Sequence, residues 1–159
     1  MRLVYWTALW TFLADQILKI GVVQFLDLKT RGSIDVLPPF LKLRMAWNTG
    51  VNFGLFSAFD MKWVLIAIAV VISAAVLVWL HRTPSMGRAA KISGGLLVGG
   101  ALGNVVDRFV YGAVADFLNM SWYGFENPYA FNVADIAIFL GALGLVFFSS
   151  ETKTPQKKG

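Results

Sequence analysis

The sequence predicts an all-α integral membrane protein of four transmembrane helices, with a small strand-containing loop outside the membrane and a segment lying along the interface. Three observations lead there. Of 159 residues, 57% are hydrophobic and only 14% charged, where an ordinary soluble domain has about a quarter charged, and the mean hydropathy is +0.65. The apolar residues lie in long runs, not at amphipathic spacing. The run Trp63 to Leu80 carries no charge and reaches the ~18 residues that mark a spanning helix.

Three further segments read as spans with more interruptions, at approximately 3–25, 92–110 and 131–148. The first is apolar except around Asp15, Gln16 and Lys19; it is too long for a signal peptide, holds two charges and lacks a small-x-small cleavage site. The third is Gly-rich and ends with Asn104, Asp107 and Arg108, and the fourth opens with Asn132 and Asp135. Four spans use most of the chain, so residues 1–159 form a single membrane domain. The loop Asp27 to Lys62 contains partial alternation and the Pro38-Pro39 pair, which suggests short strands. Within it, Met45 to Phe59, broken by Asn48, Gly50, Asn52 and Gly54, reads as the interfacial segment. The second outer loop, Gly112 to Tyr129, carries Trp122, Tyr123 and Tyr129, types enriched at membrane–water boundaries.

Basic residues in short loops set the orientation. Arg2, the cluster Arg82, Arg88 and Lys91, and the tail residues Lys153, Lys157 and Lys158 fall on one side, whereas the opposite loops have mixed charge. Both termini are therefore expected in the cytoplasm. This bias, with anionic lipid at the cytoplasmic face, accounts for the net charge of +5, and no nucleic-acid partner is needed.

The chemistry left open is narrow. There is no cysteine, which excludes thiol catalysis and disulfides. The one histidine, His81, sits beside Arg82 at the cytoplasmic end of the second span and reads as an interfacial residue. One His also excludes an H-E-x-x-H zinc site, so neither a metal nor a cofactor is expected. Carboxylates remain. Counting ~1.5 Å per residue from the cytoplasmic boundaries, Asp15 and Asn104 lie about 18 Å up, Asp107 about 22 Å and Lys19 about 24 Å, while Asp135 is ~6 Å below the outer surface. Three helices thus bring polar and ionisable groups to one depth in the outer leaflet, where charge is costly and marks function or a buried pair.

Each group also has a plainer role. Asp15 and Lys19 are spaced i, i+4 with the acid first, the favourable order for a helical ion pair, and Asp107 beside Arg108 reads as a second pairing or headgroup-facing unit. Gly95, Gly99 and Gly103 form a small-xxx-small ridge for close helix approach. Asp135 has no basic residue within a turn on its own helix, so its carboxylate needs a partner from elsewhere or a proton.

Five blocks occur in order: Asp15-Gln-Ile-Leu-Lys19, Asn48-Thr-Gly-Val-Asn-Phe53, Gly99-Gly-Ala-Leu-Gly-Asn-Val-Val-Asp-Arg108, Val114-Ala-Asp-Phe117 and Phe131-Asn-Val-Ala-Asp135. Together they closely resemble the lipoprotein signal peptidase family, also called signal peptidase II, over essentially the whole chain. The resemblance implies an integral-membrane aspartyl endopeptidase of the bacterial cytoplasmic membrane, cleaving diacylglyceryl-modified prolipoproteins just before the lipidated cysteine. Its implied partners are those precursors and membrane lipids, with no obligate protein partner. The resemblance assigns the catalytic pair to Asp116 and Asp135. It makes Asn48, Gly103, Asn104, Arg108 and Asn132 substrate-binding or supporting residues, and Asp15, Lys19 and Asp107 structural polar ones. Val51 and Asn52 stand where the family commonly has two small residues, a departure that bears on the substrate groove.

The residues themselves agree with that chemistry. Two nearby carboxylates share a proton, so one can draw a proton from water while the other donates. The rival reading is a proton-coupled transporter or channel relaying protons through Asp15, Lys19 and Asp135. Against it, the ionisable groups all sit in the outer half, and the second span offers no polar lining toward the cytoplasm.

Overall fold

The computed structural model describes residues 1–50 and 61–149. Helix α1 (Arg2–Ile20) runs on through a π-helical turn, Gly21–Phe25, and is followed by a single turn, α2 (Leu28–Arg31). Strands β1 (Ser33–Leu37) and β2 (Leu41–Asn48) come next, then helices α3 (Met61–Arg82) and α4 (Arg88–Tyr111), strand β3 (Val114–Met120) and helix α5 (Val133–Phe148). Among the described residues three stretches are long and apolar enough to cross a membrane, Arg2–Phe25, Met61–Arg82 and Arg88–Tyr111; Val133–Phe148 is apolar but shorter, at 16 residues.

Exposure explains the composition. On α3 only Ile66, Ser73 and Leu80 are buried, one residue every two turns, and the rest of its surface shows Trp63, Val64, Ile68, Val71, Ile72 and Val78. On α5, Phe139, Leu140, Val146 and Phe147 are likewise exposed. Helices that are apolar on their outward faces are stable only in an apolar surrounding. Helix α4 is the exception: 13 of its residues are buried, from Ala90 to Asp107. It is the centre of the bundle, packed against α1, α3 and α5.

Small residues make that centre possible. The Gly95–Gly99–Gly103 ridge faces α1, where a methyl at Gly95 would lie 2.5 Å from Thr7 Cβ and 2.8 Å from the Val4 carbonyl oxygen. At Gly99 it would strike the Ala8 carbonyl, and one residue on, at Gly100, it would come within 2.5 Å of the Ala134 carbonyl on α5. The ridge thus acts as sequence spacing predicts, bringing backbones close enough for polar side chains of three helices to meet.

Outside the bundle, β1, β2 and β3 form an antiparallel sheet in that order. Its residues Ile34, Leu43, Met45 and Leu118 pack around a buried cluster of Val22, Leu28 and Phe117, the last of these in β3 itself. Two expectations change here. Val114–Met120, read as part of an outer loop, is a strand, because β2 offers it an edge that the local sequence does not reveal. Met45–Asn48, read as the start of the interfacial segment, belongs to β2, and the rest of that segment, with Val51 and Asn52, lies outside the described residues.

Candidate active site

Strand β3 leaves the end of α4 after Gly112, whose φ of +77° makes the turn, and carries Asp116 back over the bundle. A register shift separates Leu43↔Leu118 from Ala46↔Asp116: two residues of β2, Arg44 and Met45, span the interval that Phe117 alone spans on β3. Such a bulge twists and re-aims a strand. Beyond it Asn48 pairs with Val114, diagonal to Asp116, and its Nδ2 donates to Asp116 Oδ2 at 3.0 Å.

Helix α5 starts beside this strand. Phe131 exchanges backbone hydrogen bonds with Leu118 at 2.8 and 3.0 Å, which fixes the chain before the helix. Asn132 is the N-cap and Asp135 the third helical residue, in a reciprocal capping box. Asn132 Oδ1 accepts from the Asp135 N–H at 2.9 Å, and Asp135 Oδ2 accepts from the Asn132 N–H at 3.1 Å. The Asn132 amide then donates to Asp116 Oδ1 at 2.6 Å and to Asn104 Oδ1 at 3.3 Å. Asn104 Nδ2 donates to Asp135 Oδ1 at 2.9 Å. One fully buried amide, Asn132, therefore touches both acids. Neither acid makes an ion pair among the described residues; the contacts at their oxygens are neutral N–H donors.

Asp116 is 3% exposed. Its pKa is pushed up to about 6, first by burial and then by the charge of Asp135; the Asn48 and Asn132 hydrogen bonds and the Lys19 charge act the other way. A carboxyl with this value exchanges protons near neutral pH, as acid–base chemistry requires.

Beneath the acids lies a second polar cluster. Lys19 Nζ is 2.8 Å from both Asp15 Oδ2 and Asp107 Oδ2 and donates to Asn104 Oδ1 at 3.2 Å. Asp15 Oδ1 takes the Ala134 N–H at 2.9 Å, and Asp107 Oδ2 takes the Ala115 N–H at 3.1 Å. The cluster pins α1 to the starts of both α5 and β3, and Gly103 leaves the room that the Asp15 carboxylate occupies.

The chain matches the family model described as Signal peptidase (SPase) II over residues 7–150. A lipoprotein signal peptidase of Methylobacterium sp. (strain 4-46) is 43% identical over 88% of this chain and 84% of its own length. One from Nitrobacter hamburgensis is 37% identical over 92% and 90%. A bacterial membrane enzyme solved by the in meso method at 1.9 Å superposes with a TM-score of 0.77 at 25% identity, covering 91% of this chain and 90% of that one. The chain belongs to the signal peptidase II family.

Within this signal peptidase II chain, Asn48, Asn104, Asn132, Asp116 and Asp135 converge in one hydrogen-bonded unit, and Gly103 and Arg108 border it. Asp107 departs from expectation. It pairs with Lys19 on α1 and not with Arg108, because residues adjacent in a helix point about 100° apart. Arg108 instead turns toward the acids, with Asp135, Asp116 and Asp107 in electrostatic reach. Its Nη1 donates to the Asn104 carbonyl at 3.3 Å, while its buried Nε meets no acceptor among the described residues.

Sequence reasoning missed Gln16, whose amide reaches Asp15 Oδ2 and Asp107 Oδ1, both at 3.1 Å, and the Gly103 carbonyl at 3.3 Å. The available signal was position: Gln16 precedes Lys19 by three residues, on the same face. Asn119 was missed too. It holds the loop before α5 by donating to the Asn127 and Tyr129 carbonyls at 2.7 Å each.

Two cavities bear on the site. One of about 510 Å³ lies at the strand tips, lined by residues such as Lys42, Trp122 and Tyr123, and contains none of the acids just described. The other, about 400 Å³, opens between α3, α4 and α5, with apolar walls including Leu65, Ile68 and Ile138 and with Asn104 and Arg108 at its polar end. The second is the one continuous with the polar unit. Among the described residues no group of acids and histidine is arranged to hold a metal.

Proposed function

We propose that this protein removes signal peptides from diacylglyceryl-modified prolipoproteins just before the lipidated cysteine, with Asp116 and Asp135 as the catalytic pair. The observation that carries this reading is the Asn132 bridge, which binds Asp116 through its side chain and Asp135 through the capping box. Two carboxyl groups sharing one donor, without an ion-paired cation, cannot both ionise freely. The pair then acts as a unit, taking a proton from water and giving one to the scissile amide. Asn48, Asn104 and Asn132 hold the acids, while Arg108 faces the substrate from the apolar cavity. Asp15, Lys19, Asp107 and Gly103 hold the helices in place.

The protein is a single multi-pass domain of the bacterial cytoplasmic membrane with both termini inside. Helix α5 is the fourth crossing in this reading. Its 16 residues give ~24 Å, short of the ~30 Å hydrocarbon core, but its outward face is apolar throughout. The catalytic pair then lies near the outer surface, where a lipidated cysteine holds its peptide bond.

Processing of a lipidated precursor by purified protein in detergent tests the reaction. Cleavage by wild type and none by Asp116→Asn is the expected result. Reporter fusions test the topology: Thr83 should report cytoplasm, and Arg31 and Tyr123 the exterior. An exterior signal at Thr83 would overturn the orientation.

A further inference from the structure

The connection between the two acids is longer than the fold needs. Leu118 already pairs with Phe131, and a hairpin turn of two to five residues would join them, yet residues 119–130 lie between. The excursion is firmly built. Buried Asn119 donates to the Asn127 and Tyr129 carbonyls at 2.7 Å each. Ser121 Oγ donates to Asn119 Oδ1 at 3.1 Å and accepts the Asn127 N–H at 3.2 Å. At the tip, Trp122 and Phe125 exchange backbone hydrogen bonds at 3.0 and 2.9 Å around Tyr123-Gly124, with Gly124 at a φ of +75°. The Ser121 N–H donates to the Phe40 carbonyl at 3.2 Å, which ties the tip to the turn between β1 and β2. The Phe40 ring stands edge-on to Trp122 and Tyr123, with centroids 5.5 and 5.4 Å away.

The cavity of about 510 Å³ lies against this tip. Its rings are open to contact, with Trp122, Tyr123 and Phe125 exposed by 69%, 76% and 63%. The charged groups among its described lining residues are Asp35, Glu126 and Lys42, and Lys42 Nζ is 3.4 Å from Asp35 Oδ1. A hollow with aromatic walls and charges of both signs suits an extended peptide, which brings apolar side chains and backbone polar groups together. Trp and Tyr suit a lipid interface too, but two acids against one cation, around a concave surface, do not.

Position says which peptide. Strand β3 carries Asp116, ends at Met120, and leads directly into Trp122. That is at most ~20 Å by strand rise, a distance an extended chain leaving the scissile bond covers in about six residues. We infer that this cavity binds the mature part of the precursor, taking an extended segment about four to seven residues past the lipidated cysteine, with Trp122 and Tyr123 as its main contacts. The inference rests on the reading of the chain as a prolipoprotein peptidase given above. The loop that lines the cavity joins the strand of Asp116 to the helix of Asp135, so the peptide is held by the same stretch of chain that presents both acids. The site takes no part in the bond-breaking step; it raises affinity for the precursor and reads residues that cleavage leaves on the product.

The test compares two lipidated precursors with one signal peptide, ending about three and about ten residues after the cysteine, short of and past the cavity by strand rise. Both are cleaved by the full chain in detergent. Wild type should show a kcat/KM about tenfold higher for the longer precursor, chiefly through KM, the scale of one well-packed aromatic contact. In Trp122→Ala, and separately in Tyr123→Ala, that ratio should fall towards one; both side chains are exposed, so the variants should fold. A ratio of one in wild type, or a ratio unchanged in both variants, overturns the proposal. An equal loss for both precursors, confined to phospholipid vesicles, would make the tip a membrane anchor instead. Photocrosslinking reads the contact without turnover. With Asp116→Asn holding the longer precursor uncleaved, a benzophenone side chain about six residues past the cysteine should label residues 121–126, and labelling only elsewhere overturns the site. Wild type that cleaves neither precursor is a different failure, of the reaction itself, and takes this proposal with it.

Discussion

Helix α4 carries two neighbouring groups of carboxylates on its flanks, and they are neutralised in opposite ways. In the inner cluster, Asp15 and Asp107 sandwich Lys19 at 2.8 Å each, and Gln16 closes the ring. In the outer unit, the partners of Asp116 and Asp135 among the described residues are amide and backbone N–H groups. The inner acids are nearly solvent-free and ionically paired, an arrangement that fixes geometry. The outer acids repel each other, and one of them exchanges its proton near neutrality. Whether a buried carboxylate meets an ammonium or an amide thus separates a clamp from a reactive pair. Asn104 joins the two, accepting from Lys19 and donating to Asp135.

The largest contrast should appear in activity. Asp116→Asn and Asp135→Asn should each lower cleavage by at least ~10²-fold, the scale of lost acid–base catalysis, while the purified proteins keep their elution profile and helical circular dichroism. The double variant should be little worse than either single one, since the pair works as a unit. A well-folded, inactive Asp107→Asn beside an active Asp116→Asn would reverse the two clusters.

Stability should separate them next. Lys19→Ala leaves two buried carboxylates facing each other, a loss of roughly 3–5 kcal/mol, read as a lower melting temperature in detergent. Asp107→Asn removes one arm only and should cost less, with turnover retained in the folded fraction. If Lys19→Ala melted like wild type yet failed to cleave, Lys19 would belong with the reactive pair.

A pH effect of similar or smaller size follows from Asp116. Its pKa rises from 3.8 to about 6 on folding, so between those values the folded state holds more protons than the unfolded one. Stability therefore falls as pH rises through that window and levels off above it, by on the order of 3 kcal/mol from this group. Comparing melts at pH 4 and 7 isolates the term, because Asp116→Asn should flatten the slope. A slope unchanged in that variant would place its origin elsewhere.

The smallest effects are expected far from both clusters. His81→Ala, at the last turn of α3, should leave turnover within a few-fold of wild type. A chelator should leave it unchanged. Inhibition by chelator with recovery on adding zinc would replace the aspartyl mechanism with a metal-dependent one.

Much of this was legible from local pattern. The charge-free run Trp63–Leu80 dictates a helix in lipid because length and hydropathy are properties of the segment itself. The same holds for the glycine ridge of α4 and for the i, i+4 pair Asp15–Lys19, since helical spacing puts such residues on one face; Asn132 meets Asp135 differently, as the extended N-cap of a capping box. Pairing across the chain was not local. The partner of Asp107 is 88 residues away in sequence, at Lys19, and only the approach of α1 to α4 decides it over neighbouring Arg108. The strand character of Val114–Met120 depends on β2 supplying hydrogen bonds, and the aim of Asp116 depends on one extra residue at Arg44–Met45. A carboxylate's chemistry is set by what stands within 3 Å of it, so the sequence determined which acids were available and the tertiary contacts decided which of them are paired and which are held ready to react.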